Sequence, residues 1–226
     1  KDEVHNTFGI YRLTEEVDGE VRYEYCMDGF RFDETRYCNA VSHYPMQLAS
    51  RNEVFRLTQL AGCPARFFPV MKNRALLTTP AGERQQVRIT AEDDCGNRSV
   101  LAFTVEGMSD ERTFRAAACD SLPVIRHDRD FSHDRDGVRI DIPAGTLYES
   151  CFYTQRPCDA PLPKDSTLLF LSRGVEILDV RLPMHRYATL RIAAPHVPAE
   201  LRRHAVLASL SPKGKLRYEG GTWEEG

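Results

Sequence analysis

His127-Asp128-Arg129-Asp130-Phe131-Ser132-His133-Asp134-Arg135-Asp136 gathers four aspartates and two histidines in ten residues. Carboxylates at that density could hold calcium, and the histidines could turn such a site toward zinc. The candidate ligands are Asp128, Asp130, Asp134 and Asp136. The helix-loop-helix calcium register fails here. Aligning Gly137 as the turn glycine puts Pro143 where the closing glutamate should stand. Arg126, Arg129 and Arg135 balance the acids locally, so the plainer reading is a solvated loop of ion pairs. A second cluster, Asp28 to Tyr37, offers Asp33 and Glu34 as a carboxylate pair for acid–base work. No nucleophile stands beside that pair, and Arg31 and Arg36 are ready partners for Asp28, Asp33 or Glu34.

Other catalytic patterns are missing from the sequence. There is no G-x-S-x-G elbow, no phosphate-cradling glycine loop and no H-E-x-x-H. The seven histidines are scattered, with no two at i, i+2 to grip a metal along one strand. No catalytic residue is nominated. Seven cysteines include no C-x-x-C pair. Cys151 and Cys158 close a short loop around Pro157 and are the first candidate disulfide; Cys26 and Cys38 are the second. Buried reduced thiols are an equal alternative.

These residues must be positioned by a chain of 226 residues, 42% hydrophobic and 28% charged, which is enough to build an ordinary core. Thirty basic against 33 acidic residues leave a charge of -3, giving no electrostatic reason to expect nucleic acid or an anionic membrane as partner. No apolar run approaches the ~20 residues of a membrane-spanning helix. Ile10–Thr14 and Val21–Met27 flank Asp18-Gly19, a tight-hairpin signal. Tyr23, Tyr25 and Met27 alternate with polar neighbours, the period of a half-buried strand. The stretch 39–50 reads as a helical turn and Val54–Leu57 as a strand. Val87–Ala91 and Val100–Val105 alternate again around a turn at 93–99. Further strands are expected at 138–142, 168–171, 175–180, 187–192, 205–210 and 216–218, with a helical turn over 198–203. Short strands at this spacing indicate an all-β chain of two tandem antiparallel β-sandwich domains. The first spans 1–107, a linker 108–124, and the second 125–226. Gly220 to Gly226 reads as the approach to one more hairpin, so the second sandwich is expected to be truncated.

Asn6-Thr7-Phe8-Gly9-Ile10-Tyr11 followed by Tyr25 to Ala40 resembles a segment of Bacteroidetes envelope proteins, the LytM/lysostaphin-type zinc metallopeptidases with C-terminal β-sandwich extensions. Val87–Ile89 through Asp94–Ser99 is similar to the closing hairpin of their immunoglobulin-like module. Asp141 to Tyr148 and Ala205 to Gly221 are similar to parts of the module that follows. The Met27–Ala40 stretch is the specific part. The family's zinc site uses an H-x-x-x-D and an H-x-H element to hold the water that attacks peptidoglycan. Four residues after His133 stands Gly137, and four after His127 stands Phe131, so no zinc or catalytic residue carries over.

The resemblance therefore implies an immunoglobulin-like first domain in a non-catalytic accessory region of a peptidoglycan endopeptidase. Its peptidase domain, with the zinc, would precede Lys1. The implied partners are that domain, peptidoglycan or an envelope protein, in the periplasm or outer cell envelope. The alternative expectation is an independent carbohydrate- or adhesion-type binding module.

Overall fold

The Asp18-Gly19 pair turns the first hairpin as its residue types require. Both residues sit at positive φ, 52° and 82°, the backbone that matches strand twist in a two-residue turn. It joins β1 (Arg12–Val17) to β2 (Glu20–Cys26). β3 (Val70–Met71), β4 (Arg84–Glu92) and β5 (Arg98–Glu106) complete an antiparallel sheet ordered β3-β2-β1-β4-β5. The computed structural model describes residues 9–224 apart from 51, 64, 110–121, 166, 173, 180, 181, 195 and 212. Most of the expected linker, and Cys119 with it, lies outside the described residues.

Alternation sets the buried face of this sheet. Leu13, Glu15 and Val17 on β1, Tyr23 and Tyr25 on β2, and Val87 on β4 are all buried. The layer that covers them comes from residues 32–75. It holds short helices α1 (Cys38–Val41) and α2 (Tyr44–Ser50) and supplies Ala40, Val41, Leu60, Cys63, Phe67, Phe68 and Ala75 to the first core. Tyr23 and Phe68 pack tilted at 5.6 Å between ring centres, a favoured aromatic geometry. The strand expected at Val54–Leu57 is reduced to one bridge, Phe55 to Ser42. The Tyr23 hydroxyl donates to the Arg56 carbonyl at 3.2 Å and fixes that segment over the sheet.

In the second half, β6 (Val124–Ile125) pairs with β9 (Cys151–Phe152), and β10 (Gln155–Pro157) with β11 (Val175–Ile177). β7 (Phe131–Arg135), β8 (Val138–Ile142) and β12 (Thr189–Ile192) make a three-stranded sheet ordered β12-β8-β7. A short helix, α3 (Ala199–Arg202), precedes the hairpin β13 (Leu207–Leu210) and β14 (Leu216–Gly220). Ile125, Ile140, Ile142, Leu147 and Tyr153 form the second core. No strand forms over 168–171, where Leu168 and Leu169 stay exposed without a ladder partner to bury them. The chain is thus all-β, with antiparallel sheets and few helices. Among the described residues no helix is long and apolar enough to cross a membrane.

The stretch read as a solvated loop is corrected in part. Residues 131–135 are strand β7, and Asp136-Gly137, at φ 53° and 74°, turn the chain into β8. Neither candidate disulfide is present: Cys26, Cys38, Cys151 and Cys158 all carry free thiols. Cys26 ends β2 opposite Arg12, while Cys38 begins α1 beside Cys63. Cys151 is held opposite Ile125, and Cys158 packs on Gly174.

Candidate functional site

The residues that converge most closely lie where the two halves meet. A 3-10 turn over Phe32–Tyr37 presents them. Its start is fixed by a reciprocal pair: the Arg31 N–H donates to Glu34 Oε2 at 2.8 Å, and the Glu34 N–H to the Arg31 carbonyl at 2.9 Å. Arg66 holds the other oxygen of Glu34 at 2.8 Å. Glu34 is therefore committed to structure, while Asp33 points to solvent. Glu34 is ion-paired, the plainer reading of this stretch, although its partner is Arg66 and not Arg31 or Arg36.

At the end of this turn Arg36 works in three ways. Its carbonyl accepts the Tyr148 hydroxyl at 2.5 Å. Its guanidinium donates to the His185 carbonyl at 3.0 Å. The same group lies 4.5 Å from the centre of the Tyr187 ring, within cation–π range. Next to it, Tyr37 stacks on the His185 imidazole at 4.1 Å with the rings 15° apart. Tyr148 meets both rings at tilted angles, 6.1 Å from Tyr37 and 6.0 Å from His185. His185 is tied from its own side by its N–H to the Thr146 carbonyl at 2.8 Å.

Tyr148 is buried in the first core although it lies in the second half, between β8 and β9. Its carbonyl accepts the Gly62 N–H at 2.7 Å. A Cβ on Gly62 would stand 2.9 Å from the Leu147 carbonyl oxygen and 2.9 Å from the Tyr148 Cα, so only glycine allows this approach. Burial pushes the Tyr148 hydroxyl well above its ordinary pKa and keeps it a neutral donor. Burial, then the Arg186 and Arg36 charges, lowers the His185 pKa, so its ring stays neutral against Tyr37. The Thr146 hydroxyl and His185 Nδ1 are buried here without a hydrogen-bond partner.

The four aspartates proposed for calcium are placed apart. Asp128 is forked by Arg126 at 3.1 and 3.2 Å, which lowers its pKa. Asp130 accepts the Ala144 N–H at 2.8 Å. Asp134 lies on β7 opposite Arg139, and Asp136 pairs with Arg135 in the turn. Among the described residues no three of these carboxylates lie within 4.8 Å of one another. The group that does gather is Asp93, Asp94 and Cys95 in the β4–β5 turn. Asp93 is occupied there by the N–H groups of Cys95 and Asn97 at 3.0 and 2.8 Å, an ordinary side-chain-capped turn. The zinc site of the LytM-type peptidases does not fit this chain, which lacks both histidine elements.

With this geometry in hand, known families discriminate between the halves. Residues 123–226 are similar to the Zu5-like domain. No curated protein and no solved structure matches the chain. The match begins just before β6, so Thr146, Tyr148, His185 and Tyr187 belong to the Zu5-like part. Gly62, Arg36 and Tyr37 belong to the five-stranded part. The junction is therefore made between a Zu5-like unit and a sheet outside that family match.

Sequence reasoning did not assemble this cluster. Tyr148 and Arg36 are 112 residues apart, and Arg36 and His185 are 149 apart. No local spacing joins them. Gly62 carried no turn signal, because it is required by a close approach and not by positive φ. Chemically the cluster holds the halves together: the Tyr148 hydroxyl and the Arg36 guanidinium are each engaged across the junction.

Proposed function

We propose that this chain is a non-catalytic accessory region that holds two β units in a fixed relation and positions a cell-envelope peptidoglycan endopeptidase, or anchors it to an envelope partner. The junction is the observation that supports this most. A positioning element must transmit orientation, and Tyr148, Arg36, His185 and Gly62 lock the Zu5-like part onto the sheet through buried, directional contacts. The resemblance of Met27–Ala40 to envelope peptidases supplies the enzyme class. On this reading the peptidase and its zinc belong to another domain of the same protein, in the periplasm or outer envelope.

The test deletes this region from the parent enzyme and follows its location, its digestion of isolated sacculi and its zinc content. Altered location or digestion with unchanged zinc is expected. Unchanged location and digestion would overturn the proposal. Binding of glycan fragments by the isolated chain, measured by calorimetry, would favour the free-standing carbohydrate or adhesion module instead.

A further inference from the structure

The two edges of the five-stranded sheet differ. β3 is two residues long, preceded by Pro69 and followed by Lys72, the features that blunt an edge against pairing. β5 is nine residues long, and its register with β4 runs unbroken from Arg98 to Glu106. It contains no proline, lysine or bulge. Among the described residues it pairs with β4 alone. Val100, Leu101 and Phe103 are 58%, 58% and 41% exposed, so both faces of this strand leave apolar surface in water.

The order of residues on β5 is complementary to itself. We infer that β5 pairs antiparallel with β5 of a second copy about a two-fold axis at Ala102, making one continuous sheet across the dimer. In that register Arg98 lies opposite the partner's Glu106, Val100 opposite the partner's Thr104, and Leu101 opposite the partner's Phe103. The charged row then alternates across four strands: Glu92, Arg98, the partner's Glu106 and the partner's Arg84. Its inner links already exist within each copy, Arg98 to Glu92 at 2.8 Å and Arg84 to Glu106 at 2.9 Å. On the opposite face Leu101 and Phe103 continue the apolar row of Ile89 and Val87, their register neighbours on β4. Val87 is buried and Ile89 packs against the first core; Leu101 and Phe103 lie beyond that cover.

The alternatives fit worse. A slip that centres the axis on Leu101 puts Arg98 opposite Thr104 and leaves Glu106 without a mate. Centring it on Phe103 sets Val100 against Glu106. Cross-strand pairs of opposite charge and of apolar side chains are the units that stabilise a ladder, so the Ala102 register is the one selected. The interface is isologous and closes as a dimer. This pairing is independent of the accessory role proposed above.

The test measures the mass of the 226-residue chain by sedimentation across a concentration series. It is repeated for Phe103→Lys and Arg98→Glu, with circular dichroism to verify the fold. A concentration-dependent dimer is expected, weakened at least about tenfold by Phe103→Lys and less by Arg98→Glu. Separately, oxidised Ala102→Cys is digested, and mass spectrometry is expected to find a disulfide joining position 102 of two copies. A monomer at every concentration would overturn the inference and leave the edge to a strand from another protein. A dimer insensitive to Phe103→Lys and without the position-102 cross-link would overturn it as well.

Discussion

β4 and β5 run nine residues each, whereas no strand described in the Zu5-like half exceeds five. The long ladder carries its own backbone hydrogen bonds and even projects past its core. The short strands of the Zu5-like half surround a small core of Ile125, Ile140, Ile142, Leu147 and Tyr153, and the neighbouring Tyr148 is packed into the other half. The difference teaches where order comes from. The sheet half is built from two hairpins, β1–β2 and β4–β5, joined by the long-range β1–β4 pairing. The Zu5-like half takes part of its order from the junction.

The most severe way to break this contrast is to remove its shared residue. Tyr148→Ala leaves a cavity in the first core and is expected to cost about 3–5 kcal/mol. Calorimetry should then show two separated transitions where the parent chain shows one. Gly62→Ala drives a methyl into the Leu147–Tyr148 backbone and should cost about 1–3 kcal/mol, measured by urea unfolding. Retained stability in that variant would mean the halves separate easily.

Glu15→Gln sharpens the comparison from the sheet side. Glu15 is buried on β1; desolvation raises its pKa and Arg22 offsets part of the effect. The folded state therefore holds this proton more tightly than the unfolded state. Stability from that source is present at low pH and lost as pH rises through the raised value. At neutral pH the substitution should stabilise the chain by about 1 kcal/mol, and the gain should vanish in acid. The smallest effect belongs to His185. Its pKa is lowered, so folding favours the neutral ring, and stability present above the ordinary value of about 6.5 is lost as pH falls through the lowered one. Acid should lower the protection factors, corrected for intrinsic exchange rates, of the junction amides of Gly62 and His185. His185→Phe, which keeps a ring on Tyr37, should remove that pH dependence.

The hairpins β1–β2, β4–β5 and β13–β14 were legible because alternation and turn residues lie together in sequence. Strand β7 was obscured because its residues, Phe131-Ser132-His133-Asp134-Arg135, are mostly polar and exposed. Asp136-Gly137, which turns β7 into β8, was read only as part of the acidic loop. β3, β6, β9 and β10 are two or three residues long, too short for any period to register. The aspartates do not gather because local partners hold them: Arg126 takes Asp128, the Ala144 N–H takes Asp130 and Arg135 takes Asp136, while Asp134 lies on β7. The Tyr148–Arg36–His185 junction was illegible because the bonds of Arg36 to Tyr148 and His185 depend on how the halves dock.

Trp223 is the only tryptophan and lies in the Zu5-like half, where the Arg202 guanidinium sits 5.5 Å from its ring centre. Its fluorescence therefore reports on that half, while far-ultraviolet circular dichroism is dominated by the longer strands of the sheet half. Urea unfolding of the unmodified chain should be followed by both signals together. If the junction makes the halves one cooperative body, the two curves coincide in midpoint and slope. A tryptophan transition complete before the circular-dichroism transition begins would contradict the coupling.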